Sequence, residues 1–192
     1  MRSTHCIILI ILSIALTISG SADETKKTKP GIWVVDIEGT IGPATSDYVL
    51  RAFSKAQASN AKLIILKMNT PGGLDNAMRD IIKAILSSDI AVASYVGPKG
   101  ARAASAGTYV LYASHFAAMA PATNLGAATP VKIGTPNMPR SKPEPIGANP
   151  IENKMVNDAA AYIRGLAVLR NRNADWAEAA VRDATSLDAE SA

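Results

Sequence analysis

Apolar residues recur along this chain in two rhythms that alternate. Ile32-Trp33-Val34-Val35-Asp36-Ile37 is a β-rich run closed by Gly39 and Gly42-Pro43. Tyr48, Val49, Ala52, Phe53 and Ala56 then follow helical spacing, with Thr45 or Ser46 placed to cap the helix. Leu63-Ile64-Ile65-Leu66 is a continuous apolar run, as expected of a strand buried on both faces of a parallel sheet. A second helix is expected to bury Leu74, Met78, Ile81, Ile82, Ile85 and Leu86. Ile90 to Val96 reads as a strand, Ala104 to Ala113 as a helix of small residues, and Phe116 to Ala120 as a short strand. The alternation predicts an α/β domain with right-handed crossovers.

The second part of the chain is patterned differently. From Pro121 to Pro150 it carries seven prolines and no clear element, which points to a functional loop. A helix opens near Asn149-Pro150 and buries Met155, Ala159, Tyr162, Ile163 and Leu166. A last helix spans about Asp175 to Arg182, and Ser186-Leu187-Asp188-Ala189-Glu190 reads as the start of another element. A domain truncated at its C-terminus would end in this way.

The first 22 residues do not fit the domain pattern. Arg2 and His5 give a short basic start, Ile7 to Ile18 an apolar run, and Gly20-Ser21-Ala22 small residues for cleavage. The run is short for a bilayer span of about 20 residues. The expected organisation is therefore a signal peptide over 1–22, a linker over 23–30 and one domain over 31–192. Export follows, to a periplasmic or other extracytoplasmic place.

Composition narrows the chemistry. Cys6 is the sole cysteine and precedes the domain, and His115 is its one histidine, so neither a thiol nucleophile nor a Cys/His metal site is expected. The net charge of +4 is scattered apart from Lys26, Lys27 and Lys29, and no basic face with interleaved aromatics suggests nucleic acid.

Two segments carry candidate chemistry. Thr70-Pro71-Gly72-Gly73 lies between a strand and a helix, where α/β sites gather, and its glycines let backbone amides approach an oxyanion. No Walker lysine or GxGxxG pattern accompanies it. Ser105 stands between alanines at the start of the small-residue helix, with Gly107 two residues on. The Ala106 N–H can pair with that of Gly73 as an oxyanion hole. On its own, each segment reads more readily as an ordinary turn or an ordinary cap.

A serine nucleophile needs a base. Ten helical residues rise about 15 Å, which removes His115 from Ser105; a helix-ending, partly charged imidazole is expected there instead. A lysine can serve as the neutral amine, and Lys154 lies early in the helix opened by Asn149-Pro150. The alternative for Lys154 is a solvated side chain paired with Asp158 one turn on.

Together, Asp36-Ile37-Glu38-Gly39-Thr40-Ile41-Gly42, Asn69-Thr70-Pro71-Gly72-Gly73-Leu74, Ala103-Ala104-Ser105-Ala106-Gly107-Thr108, the stretch Met119 to Ala127, Asn153-Lys154 and Ser186 to Glu190 form an ordered set. On these motifs residues 32–187 resemble the N-terminal protease domain of the NfeD family, membrane-associated serine proteases of the ClpP/crotonase superfamily. The resemblance implies repeated β-β-α units with a mainly parallel sheet. It also implies a Ser–Lys dyad at Ser105 and Lys154, and oxyanion amides at Gly73 and Ala106. Gly72, Leu74 and Gly107 are the substrate-contacting candidates. No cofactor is implied. Homodimers are, as are protein substrates with apolar stretches, notably stomatin-like ones. Longer members continue into transmembrane helices and a β-barrel domain, neither of which occurs in this sequence. Lys132 and Lys142, in the Pro-rich stretch, are rival lysines. Two other readings stay open: a catalytically idle scaffold for a membrane partner, and a crotonase-type acyl-CoA enzyme using the same oxyanion hole.

Overall fold

In the computed structural model, residues 31–131 and 150–192 are described. The expected signal segment, the linker, Lys132 and Lys142 lie outside them.

Four parallel strands make the main sheet: β1 (Ile32–Glu38), β2 (Leu63–Asn69), β3 (Ala91–Val96) and β5 (Phe116–Met119), in the spatial order β1-β2-β3-β5. The strand-helix alternation read from the sequence is the reason. Helices α1 (Pro43–Ala58) and α2 (Asp75–Leu86) carry the chain from one parallel strand to the next. Register aligns the inward residues in rows, Val35 beside Leu66 beside Ser94 and Ile37 beside Met68 beside Val96. These are buried against the helices. β2 is not buried alike on both faces: Ile64, Leu66 and Met68 are fully covered while Leu63 and Ile65 are half-buried. Among the described residues one face of this sheet is fully covered and the other only partly, so the continuous apolar run overstates its burial.

A second sheet was only partly foreseen. β4 (Arg102–Ala104) pairs parallel with β6 (Asn124–Gly126), which pairs antiparallel with β7 (Ser186–Asp188). Three-residue strands give no periodicity to read. The expected helix overlaps β4 only at Ala104, β6 falls within the Pro-rich loop, and β7 coincides with the unnamed element expected at Ser186. The sheets meet where Thr70, just past β2, bridges Ala103 of β4.

The helices form a layer in chain order: α1 packs on α2, α2 on α3 (Ala106–Ala113), α3 on α4 (Pro150–Leu169), and α4 on α5 (Ala174–Arg182). Some expected details differ. Gly42 stands at the N-cap of α1 with no side-chain cap; Thr45 Oγ1 donates to Thr40 O and Ser46 Oγ to Pro43 O instead. Pro43 at the first turn makes the start without a cap. Tyr48, Leu74 and Leu86 are exposed rather than buried, because each sits at the margin of its apolar stripe or helix. In α4 the buried residues are Ala160, Ile163, Leu166 and Ala167, with Met155, Ala159 and Tyr162 half-buried.

Candidate active site

The site is built where the two sheets join. Thr70, fully buried, donates its N–H to Arg102 O (2.8 Å) and accepts at its own carbonyl from Ala104 N–H (3.1 Å). Its hydroxyl accepts from Gly72 N–H at 3.0 Å, a local side-chain turn that folds the chain back beside β4. Gly72 then takes φ +112°, and a Cβ built there would lie 2.5 Å from Ser105 Cβ and 3.0 Å from Ser105 Oγ. Only glycine satisfies both the conformation and the contact. The Thr-Pro-Gly-Gly turn therefore lies directly against the Ser105 side chain.

Ser105 stands between β4 and α3 with φ 52° and ψ −120°, a conformation non-glycine residues rarely adopt. Such strain costs on the order of 1–3 kcal/mol and persists only where the surroundings hold it. Those surroundings are visible. Ser105 N–H donates to Gly126 O at 2.9 Å. The buried Thr108 hydroxyl accepts from Gly126 N–H at 3.0 Å and lies 2.8 Å from Ala103 O, a bond it donates. A serine on a sharp strand-to-helix turn presents its oxygen at the head of the helix, as nucleophile elbows do.

Two backbone amides follow the contacting residues in sequence, that of Gly73 after Gly72 and that of Ala106 after Ser105. Ile41 N–H donates to Gly72 O and Leu74 N–H to Ile41 O, each at 2.8 Å, which turns the intervening Gly73 N–H away from Ile41. A Cβ on Gly73 would come within 2.0 Å of Ile41 O, so this approach also requires glycine. Ala106 is the first residue of α3, and its N–H has no partner within the helix. Both amides adjoin the Gly72–Ser105 contact.

Of the other expected residues, Leu74 is exposed beside Gly73, 42% accessible. Gly107 is buried, and a Cβ there would come 2.6 Å from the Thr70 methyl. What it supplies is close packing of α3 on Thr70. Lys154 is exposed on the second turn of α4. Among the described residues no hydrogen bond joins it to Ser105, and the alternative pairing with Asp158 is not formed either. Asp158 is held by Arg79 at 2.6 Å instead.

His115 corrects another expectation. Its ring Nδ1 accepts from Val92 N–H at 3.1 Å and so carries no proton. Burial and the nearby Arg170 hold its pKa below the usual imidazole value. It is a neutral link at the start of β5, not a charged helix end. Thr70, Thr108 and Gly126 went unread as site residues. The signal for Thr70 was its place two residues before a glycine, while the other two depend on β6.

A groove of about 700 Å³ lies at the opposite end of α3, lined in part by Leu111, Tyr112, Met119, Trp176 and Leu187. None of Gly72, Ser105 or Lys154 lines it. No helix among the described residues is long and apolar enough to cross a membrane.

Comparison with known proteins bears on the family and the fold. The chain is 39% identical over 161 residues to the membrane-bound protease PH1510 of Pyrococcus horikoshii, a match that takes in 84% of this chain and 35% of that one. It thus spans about a third of that relative's length. A solved serine-to-alanine mutant of the 1510-N membrane-bound stomatin-specific protease superposes with a TM-score of 0.75 at 39% identity, over 85% of this chain and 75% of the other. A lysine-to-alanine mutant of the same protease, in complex with a substrate peptide, gives 0.74 at 39% identity, over 85% and 71%. These neighbours have the ClpP-like protease fold, which is the fold of this chain. With the NfeD1b N-terminal domain model matching residues 31–190, the chain belongs to the NfeD1b N-terminal domain family.

Proposed function

We propose that this domain is a serine endopeptidase in which Ser105 is the nucleophile and Lys154 the base. The observation that carries the reading is the strained Ser105 turn packed against Gly72, and the Gly73 and Ala106 amides, next in sequence to that contact, are its proposed oxyanion donors. In the proposed reaction the neutral amine of Lys154 takes the Ser105 proton as Oγ attacks a peptide carbonyl. The two amides hold the oxyanion of the tetrahedral intermediate. Lys154 then protonates the leaving amine, and water activated by the same lysine releases the acyl group. Lys154 has to close on Ser105 for this, since active-site hydrogen bonds often tighten only with substrate bound.

Substrates are proposed to be apolar segments of membrane-associated proteins, with stomatin-like proteins first among them. The support is that the relative of known structure is named as stomatin-specific. Leu74, exposed beside Gly73, and Gly72 are proposed to line the substrate path, with Gly107 behind them. An exported, membrane-facing homodimer completes the proposal. The curated relative is membrane-bound.

The test is cleavage of casein and of an apolar fluorogenic peptide, beside Ser105→Ala and Lys154→Ala, with folding followed by circular dichroism. Both variants should lose roughly 10⁴- to 10⁶-fold in kcat. Activity surviving in Lys154→Ala alone would move the base elsewhere. Absence of turnover in the parent domain would leave the scaffold reading.

A further inference from the structure

Arg79 occupies a position that the proposed chemistry does not use. It lies in α2, its side chain 30% exposed, between two carboxylates that are 64% and 70% exposed. Its Nε donates to Asp75 Oδ2 at 2.8 Å and its terminal nitrogen to Asp158 Oδ2 at 2.6 Å. The guanidinium carbon also sits 4.4 Å from the centre of the Tyr162 ring, a cation–π contact. Tyr162 stacks on Tyr109 with centroids 6.2 Å apart.

Each of these partners lies close in sequence to a residue of the site. Asp75 opens α2 two residues after Gly73. Asp158 and Tyr162 follow Lys154 by one and two turns of α4 and share its face. Tyr109 follows Ser105 by one turn of α3. One planar, forked cation therefore joins the helix after the oxyanion glycine to the helix bearing the lysine, and reaches the serine helix through two rings. It also occupies the carboxylate with which Lys154 would otherwise pair at i+4.

We infer that Arg79 is a positioning residue, docking α4 on α2 so that Lys154 is presented, unpaired, toward the Ser105 turn. This rests on the dyad proposed above. Arg79 touches neither reacting atom, so its loss should act on kcat and not on substrate binding.

The experiment takes the intact chain through Arg79→Met, Arg79→Lys, Asp158→Asn and the Arg79→Met/Asp158→Asn double variant, with Lys154→Ala in parallel. Steady-state cleavage of the apolar peptide is measured beside amide hydrogen exchange across α4. Arg79→Met should lower kcat by about 10- to 100-fold with KM nearly unchanged, the scale of a displaced catalytic group. Exchange should quicken in the first two turns of α4. Asp158→Asn should behave alike, the double variant should be no worse than Arg79→Met, and Arg79→Lys should recover part of the loss. If Arg79→Met fails to fold, the exposed Asp158→Asn decides alone. Unchanged exchange in α4 overturns the inference whatever the activity, as does a full kcat in Asp158→Asn beside an inactive Lys154→Ala. Faster exchange together with activity that survives Lys154→Ala keeps the joint and sinks the dyad.

Discussion

At Gly72 the residue's two demands coincide. Its φ of +112° and the 2.5 Å that would separate an added Cβ from Ser105 Cβ leave no room for a side chain. Gly72→Ala should lose about 1–3 kcal/mol of stability, the usual cost of overpacking. Cleavage should fall by a larger factor, on the order of a hundredfold, because the clash falls on the nucleophile itself. Denaturant melts and kinetics on the same preparation check this; a stable variant with full activity would remove Gly72 from the site. Ser105 and both glycines stand out as candidates in the sequence, as small residues between a strand and a helix, although an ordinary turn or cap uses the same residues. Thr70 was not singled out, because its hydroxyl acts only through a turn that has to form first.

Among the elements, α3 bears the most. All eight of its residues are buried, so the carbonyls at its C-terminal end need partners from the protein. Two arginines beyond α4 supply them. Arg170 Nε donates to Ala113 O at 2.7 Å, and Arg172 donates to Leu111 O at 2.8 Å and Tyr112 O at 2.6 Å. Burial lowers the pKa of Arg172, whose charge is favoured at this negative end of the helix. Removing these charged bonds by Arg172→Met should cost about 1.5–3 kcal/mol. That corresponds to a fall in Tm of roughly 3–12 °C, read by calorimetry. An unchanged Tm would mean that water serves the same carbonyls. The length of α3 was nearly legible, but its capping was not, because Arg170 and Arg172 lie some 60 residues away.

Stability of the whole molecule carries a pH signature from His115. Its folded pKa is depressed by burial and by Arg170, so the unfolded chain binds a proton more readily than the native one. The contribution is present above the unfolded value of about 6.5 and is lost as pH falls through the folded pKa. Melting between pH 7.5 and 5 should therefore lose more stability in the parent than in His115→Gln; equal losses would show that the ring is not held neutral. The placement of this histidine at the start of β5 also explains why it is no base for Ser105, which stands at the other end of α3.

Taken alone, the sequence determined the four parallel strands and the helices between them, and it offered the serine and glycines as candidates. These depend on local periodicity and on residues whose small size is itself the signal. Tertiary structure decided the second sheet, because β4, β6 and β7 exist only through their pairing with one another. It also decided that Ser105 sits strained against Gly72, and that Asp158 belongs to Arg79 rather than to Lys154. The i+4 rule offers Asp158 to its own helix, where an exposed pair gains little. A forked guanidinium already held by Asp75 and a ring face takes it instead, and only the fold, which sets both helices against α3, brings them within reach of each other.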